Sequence, residues 1–330
     1  MGSACRTASR LPDNDFAGSF SIAIGGWTCC CEIDDEELRQ SLSDAWSPYR
    51  AAPTSDGVRL VVSDAGSGAY RVFAENREGP IDLGNLLASP EGARFRRVEA
   101  QPLPAFADSL FSNEPVIESS GASLRVFTRE RMAHYAMLVI IWLSMAEGGL
   151  ICLHSAVCAV DEHAIVLAGP SGSGKSTLAW ALDRLGAACC TDEWLFLRRE
   201  GGPLIPLPRS ISLRPEGARL LGVQPEPSRL YESRPGDVKI ATERKGRLRS
   251  FDGPANVYFL SGFAASPRIT AASPAESLRR LLGILGTGDD DMNARIDTAL
   301  ALTERFRCWL LEVGDPSETA RTLIRRGDAR

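Results

Sequence analysis

The chain has no basic excess: 37 Lys and Arg against 42 Asp and Glu leave a formal net charge of -5, the opposite of what a nucleic-acid groove needs. Nucleic acid is therefore not an expected partner. Nor is there a hydrophobic run long enough to span a bilayer. The most apolar stretch, Ala133–Ala146, holds 14 residues, where a membrane span needs roughly 20, so a buried helix is predicted there and no membrane partner. A metal framework is missing too. Nine cysteines fall at positions 5, 29, 30, 31, 152, 158, 189, 190 and 308, without a C-x-x-C pair or a His at zinc-ligand spacing. Adjacent residues such as Cys189 and Cys190 on a strand point to opposite faces, so small buried thiols of a reducing cytosol are predicted in place of disulfides. Met1–Asp15 lacks a long apolar core behind a basic patch and does not read as a secretory signal. A disordered tail and a cytoplasmic protein are the expectations.

What is present is ordinary globular material: 44% hydrophobic and 24% charged residues over 330 positions allow a substantial core and suit two units. From 16 to 129 the chain is strand-rich. The segments SFSIAIGG, WTCCCEI, VRLVVSD, YRVFAEN and SLRVFTR alternate between Gly, Pro, Asp and Ser clusters. One helix interrupts them over Asp35–Trp46, with Asp34 or Asp35 as its cap. From 130 to 330 the texture is α/β. After the apolar helix come a strand over Leu150–Val160, a turn at Asp161-Glu162-His163, a strand over Ala164–Ala168, a Gly-rich loop, and a helix from Lys175 to Leu185 that Gly186 ends. A strand over Ala188–Arg198 is broken by the polar cluster Thr191-Asp192-Glu193, and another covers Ser210–Leu213. Residues 224–253, rich in Pro, Arg, Glu and Gly, are expected to be an exposed mobile segment, either a lid or a solvated loop. Beyond them a strand over Val257–Phe263, helices over Pro274–Leu285 (capped by Ser273) and Ala294–Arg305, and a strand over Cys308–Val313 complete the pattern.

Chemistry concentrates at Gly169-Pro170-Ser171-Gly172-Ser173-Gly174-Lys175-Ser176, which fits G-x-x-x-x-G-K-[ST] between a predicted strand and a predicted helix. Glycines let successive N–H groups converge on phosphate oxygens. The helix start adds its positive dipole end, Lys175 a full charge for the β- and γ-phosphates, and Ser176 a hydroxyl for Mg²⁺. Thr177 is a weaker polar neighbour. Asp192 and Glu193 follow Lys175 by 17 and 18 residues, which puts them near the phosphates if the next strand in sequence is the next in the sheet. One carboxylate can take a proton from an acceptor hydroxyl while the other holds Mg²⁺. His154, in the apolar strand Ile151–Val157, reads equally as a satisfied core residue or as a group beside the phosphates.

Taken together, Gly149–Val157 with its His154, the loop Gly169–Thr177, the helix start Leu178–Leu182 and Thr191-Asp192-Glu193 resemble the HPr kinase-like family, over roughly 130–215. The resemblance implies a P-loop kinase core of the HPr kinase/phosphoenolpyruvate carboxykinase type, ATP and Mg²⁺ as cofactors, and a serine hydroxyl as acceptor. It makes Asp192 the general base, His154 its neighbour at the γ-phosphate, and Glu193, where the family commonly has Asp, a metal ligand. The family's Glu-rich stretch after the acidic pair is replaced here by Pro208–Pro215, which points away from HPr itself and toward relatives that resemble kinases of ribosomally made peptides, notably lasso-peptide precursors, or kinases of free serine. Self-association is a further expectation from the resemblance. Arg209, Arg214, Arg244 and Lys245 are either phosphate or acceptor contacts or surface charge. A kinase of a small hydroxylated metabolite and a nucleotide-sensing regulator without turnover are the competing classes; a transporter-type ATPase is set aside because Leu260-Ser261-Gly262-Phe263-Ala264 lacks the second Gly and the Gln of that signature.

Overall fold

The computed structural model describes residues 18–66, 69–81, 83, 117–120, 123–126, 136, 139–141, 143–161, 163–198, 201–207, 211–224, 230–234, 237–241, 250–286 and 292–328. It is mixed α/β, with sheets that combine parallel and antiparallel strands. The expected tail at 1–15 and Arg209, Arg244 and Lys245 lie outside the described residues.

Strand alternation builds the first sheet. Strands β1 (Ser19–Ile24), β2 (Trp27–Ile33), β3 (Val58–Gly66), β4 (Ala69–Asn76), β5 (Gly79–Pro80), β6 (Ile117–Ser120) and β7 (Ser123–Val126) pair in the order β1-β2-β3-β4-β7-β6, with β5 also on β4. In β2 every second residue, Trp27, Cys29, Cys31 and Ile33, is buried, while Cys30 and Glu32 look outward, the period-2 pattern of a sheet with one covered face. Among the described strands of this sheet only β2 and β3 run parallel, joined by the crossing helix α1 (Glu36–Ala45). Asp35 caps that helix, accepting from the Leu38 N–H at 2.9 Å, and its other carboxylate oxygen accepts from the Tyr70 hydroxyl at 2.7 Å.

The second sheet carries the loop. Strands β8 (Leu150–Val160), β9 (His163–Ala168), β10 (Ala188–Thr191), β11 (Trp194–Arg198), β12 (Ile205–Pro206), β16 (Ala255–Phe263), β17 (Arg268–Ala271), β18 (Leu285–Gly286) and β19 (Arg307–Val313) follow the order β12-β11-β8-β9-β16-β19-β17, with β10 and β18 also on β8. β9, β16 and β19 are mutually parallel; β8 is antiparallel to β9. Helices α2 (Lys175–Arg184), α3 (Pro215–Leu220), α4 (Pro274–Ile284), α5 (Met292–Arg305) and α6 (Pro316–Asp328) accompany it. Ser273 caps α4 by accepting from the Glu276 N–H at 3.2 Å.

Three apolar clusters pack these layers. One lies between the first sheet, α1, the helical residues 139–141 and 143–145, and the Leu150, Cys152, Phe196 and Ile205 side of the second sheet. A second lies under α2 and α6, and a third on the opposite face under α4 and α5. The two halves thus share a core, and polar ties reinforce it: Arg198 Nε donates to the Gly25 carbonyl at 2.7 Å and the Tyr49 hydroxyl donates to the Pro206 carbonyl. The eight described cysteines are thiols, six of them buried. Cys189 belongs to the second cluster and Cys190 to the third, the opposite-face arrangement expected of strand neighbours.

Two expectations are corrected. The 224–253 segment is not wholly loop: strands β14 (Leu230–Arg234) and β15 (Asp237–Ala241) form a hairpin that adds to β13 (Ser212–Leu213) as a small third sheet, and Ile240 is buried in the second cluster. Val238 and Ile240 alternate with Asp237 and Lys239 in an otherwise polar stretch. The strands on either side of Asp192 and Glu193, β10 and β11, also do not neighbour the loop-bearing β9. Both pair with β8, which stands between them and β9.

Candidate functional site

The register of β8 explains how distant residues meet. Ser155 pairs with Ala168, the last residue of β9 before the Gly-rich loop. On the other edge, the Ser155 N–H donates to the Glu193 carbonyl at 3.0 Å, and His154 pairs with Trp194. The loop and the acidic pair therefore flank the same two residues of β8, about two strand spacings apart at roughly 4.8 Å each. Intervention of β8 preserves the proximity that direct adjacency was expected to provide.

Alternation along β8 also sets the position of His154. Leu150 and Cys152 enter the core shared with the first sheet, while Ala156 and Cys158 enter the core under α2. Odd-numbered Ile151, Leu153 and Val157 face the third cluster. His154 stands on the first face at the gap where one covering layer ends and the other begins, half-buried, with its ring centroid 5.5 Å from that of Trp194. It is a cleft residue, not a core one.

Asp192 and Glu193 project because Thr191 closes a bulge. The register shifts between Cys189 and Thr191, and the buried Thr191 hydroxyl accepts from the N–H groups of Glu193 and Trp194, each at 3.3 Å. A Thr side chain that mimics a ladder acceptor frees the two residues beyond it from regular pairing. Asp192 is only 7% exposed, and its Oδ2 accepts from the Ser212 N–H at 2.7 Å, so β13 orients the carboxylate.

The loop has the conformation its glycines predict. Gly172 (φ 83°) and Gly174 (φ 96°) are left-handed, where an L side chain is strained, and Gly174 is the N-cap of α2. Lys175 is 7% exposed and its Nζ donates to the carbonyls of Gly169 at 2.7 Å and Pro170 at 3.1 Å. Those carbonyls hold the ammonium at the loop. Arg214 reaches over from the other side, its Nη2 donating to Ser171 Oγ at 3.4 Å.

These groups line one cleft of about 620 Å³, within the usual range for small-molecule sites. His154, Ser171, Gly172, Gly174, Lys175, Ser176, Thr177, Asp192 and Glu193 all reach it, as does Arg214. Gly169 and Ser173 do not: Gly169 contributes its carbonyl to Lys175, and the Ser173 hydroxyl is buried inside the loop, where a Cβ on Gly169 would come within 2.8 Å of it. Sequence reasoning missed Ser212, whose contribution is a backbone N–H and leaves no side-chain signal, and also Glu216, Gly217, Leu220, Phe263 and Val313–Pro316.

The donor set fits an oxygen-preferring cation that arrives with phosphates. A hydroxyl at Ser176 and carboxylates at Asp192 and Glu193 share the cleft; among the described residues no group of three or more His, Cys, Asp and Glu side chains forms a dedicated cage. One or two carboxylates plus substrate phosphates is the usual Mg²⁺ arrangement. The anion side fits as well, with left-handed glycines, a helix start and two cations converging.

No family model matches the chain, and no curated protein matches it. Among the described residues, no helix is long and apolar enough to cross a membrane.

Proposed function

We propose that this chain is an ATP- and Mg²⁺-dependent kinase of the HPr kinase-like type, which transfers the γ-phosphoryl group to a Ser or Thr hydroxyl of a peptide or small protein. A ribosomally made precursor of the lasso kind is the acceptor class that the resemblance favours. The observation carrying the proposal is that the loop Lys175 and Ser176, the β8 His154 and the bulged Asp192-Glu193 pair line one cleft.

When bound, Mg²⁺-ATP supplies the phosphoryl group and neutralises charge between its β- and γ-phosphates. Backbone N–H groups of the loop and the positive end of α2 orient the phosphates. Lys175 exchanges its loop carbonyls for phosphate oxygens and neutralises charge that builds up during transfer. Ser176 and Glu193 would hold the metal, and Asp192, which lines the same cleft, would share that task. Asp192, held by the Ser212 N–H, accepts the proton of the acceptor hydroxyl as its oxygen forms the new P–O bond and the β–γ bridging bond breaks, leaving ADP. His154, beside the same carboxylates, is a positioning and charge-balancing partner at the γ-phosphate. The burial of Lys175 and Asp192 strengthens these interactions by keeping them from bulk water.

The test is transfer of label from γ-labelled ATP with Mg²⁺ to a panel of Ser-containing peptides, HPr and free serine. Labelled peptide supports the proposal. Label on free serine alone would move the protein to the metabolite kinases, and bound ATP with no transfer to any acceptor would make it a nucleotide-sensing regulator.

A further inference from the structure

The proposed chemistry uses one end of the cleft; the other carries exposed apolar surface beside the exposed Asp315 carboxylate. His154, Asp192, Glu193 and Ser212 lie toward β8 and β11; Phe263 and Val313–Pro316 lie at the far side, beyond the loop. Phe263 is 70% exposed and Leu220 65%, the two most exposed large hydrophobic residues described, and both line this cleft. Exposed apolar side chains scattered singly need no explanation, but two that gather in one cleft do.

Strand register places Phe263 beside the phosphate loop. β9 ends its pairing with β16 at Ala168 opposite Phe259. β16 continues through a bulge between Leu260 and Gly262 to Phe263, which pairs with Val313, so the strand extends roughly 10 Å farther, three ladder steps at about 3.3 Å each. That length carries the ring up alongside the loop: a Cβ on Gly174 would lie 3.7 Å from Phe263 Cε1, ordinary contact. Because β8, β9, β16 and β19 are consecutive in the sheet, the order across the site is acidic pair, loop, Phe263, Val313–Pro316.

A nucleotide lying across this loop with its terminal phosphate toward Asp192 must direct its base the other way. We infer that Phe263 is the stacking platform for the base of the donor nucleotide, with the neighbouring Val313–Pro316 turn bordering the same end of the cleft. This rests on the phosphate-loop reading above and adds the base site to it. An aromatic face accepts any base, and the two fused rings of a purine cover it more fully than a pyrimidine does.

The experiment is calorimetric binding of Mg²⁺-ATP, Mg²⁺-CTP and base-free Mg²⁺-tripolyphosphate to the full chain as wild type, Phe263→Ala and Phe263→Trp. Loss of one base–aromatic stack corresponds to a weakening of roughly 5- to 140-fold. Phe263→Ala is expected to weaken ATP by that factor and leave tripolyphosphate within about twofold, while Phe263→Trp retains ATP binding. Wild type should prefer ATP to CTP, and Phe263→Ala should erase the preference. ATP affinity unchanged in Phe263→Ala overturns the inference alone, as does an equal loss for tripolyphosphate, which would mean that the ring only props the loop. Wild type that binds neither ATP nor tripolyphosphate overturns the phosphate-loop reading and this inference with it.

Discussion

Replacing Gly174 by Ala isolates what the left-handed loop contributes. At φ 96° an alanine pays about 1–2 kcal/mol for the left-handed backbone. Contact adds nothing to this, because the new Cβ would meet only Phe263, at 3.7 Å. The smaller conformational freedom of an unfolded alanine returns about 0.4–1 kcal/mol, so the net destabilisation is about 1 kcal/mol. Gly186 is the matched control: its φ is 99° and a Cβ there meets nothing within 4 Å, so Gly186→Ala should cost the same. Binding separates the two. Gly174 shapes the loop at the start of α2, and rotation of one N–H away from a phosphate costs about 1.5–3 kcal/mol, tenfold or more in affinity. Urea midpoints should fall equally in both variants, while calorimetry should show weakened Mg²⁺-ATP only in Gly174→Ala. A Gly174→Ala protein as stable as wild type would refute the conformational argument, and one that binds ATP as Gly186→Ala does would refute the role of the loop.

Asp35→Ala removes both the α1 cap to Leu38 and the acceptor for Tyr70; a loss of about 2 kcal/mol is expected, read as a lower thermal midpoint with ATP affinity unchanged. Stability should also fall at alkaline pH. Burial holds the Cys152 thiol well above its ordinary value, and contacts with Cys29 and Cys189, together with burial, do the same for Cys31 and Cys158. Raised folded values mean that the unfolded chain loses these protons first, so the stability is complete below about pH 9 and declines above it by about 1.4 kcal/mol per pH unit for each thiol. Denaturation midpoints from pH 7 to 10 check this, and a flat profile above pH 9 would contradict it. Mass-spectrometric mapping of brief alkylation should leave Cys152, Cys158 and Cys189 unmodified in the native protein, since all three are buried.

Local signals were legible in the sequence where they dictate backbone: the loop from Gly169 to Ser176, an acidic cap at Asp34 or Asp35, the Ser273 cap, the break at Thr191-Asp192-Glu193 and the strand WTCCCEI each appear in the fold. Long-range order was less legible. That β8 would separate the acidic pair from the loop depends on which strands pair, and antiparallel partners far apart in sequence leave no local mark. His154 could not be assigned from Ile151–Val157 because its strand is apolar throughout; what makes it a cleft residue is the gap between two covering layers, a property of packing. The 230–241 hairpin was obscured by the charged and proline-rich segments on both sides. Phe263 read as one more strand hydrophobe, since nothing in the sequence tells that β16 outruns β9.

The most direct test of the account compares wild type with Asp192→Asn in phosphoryl transfer, with ATP affinity measured in parallel. Asparagine keeps an oxygen for the Ser212 N–H and so keeps the local structure, but it cannot accept the proton. Transfer to the peptide acceptor should fall by about 10²–10⁴-fold with affinity for metal-free ATP nearly unchanged. Transfer that persists at the wild-type rate would contradict the assignment of Asp192, and with it the claim that this cleft works as a kinase site.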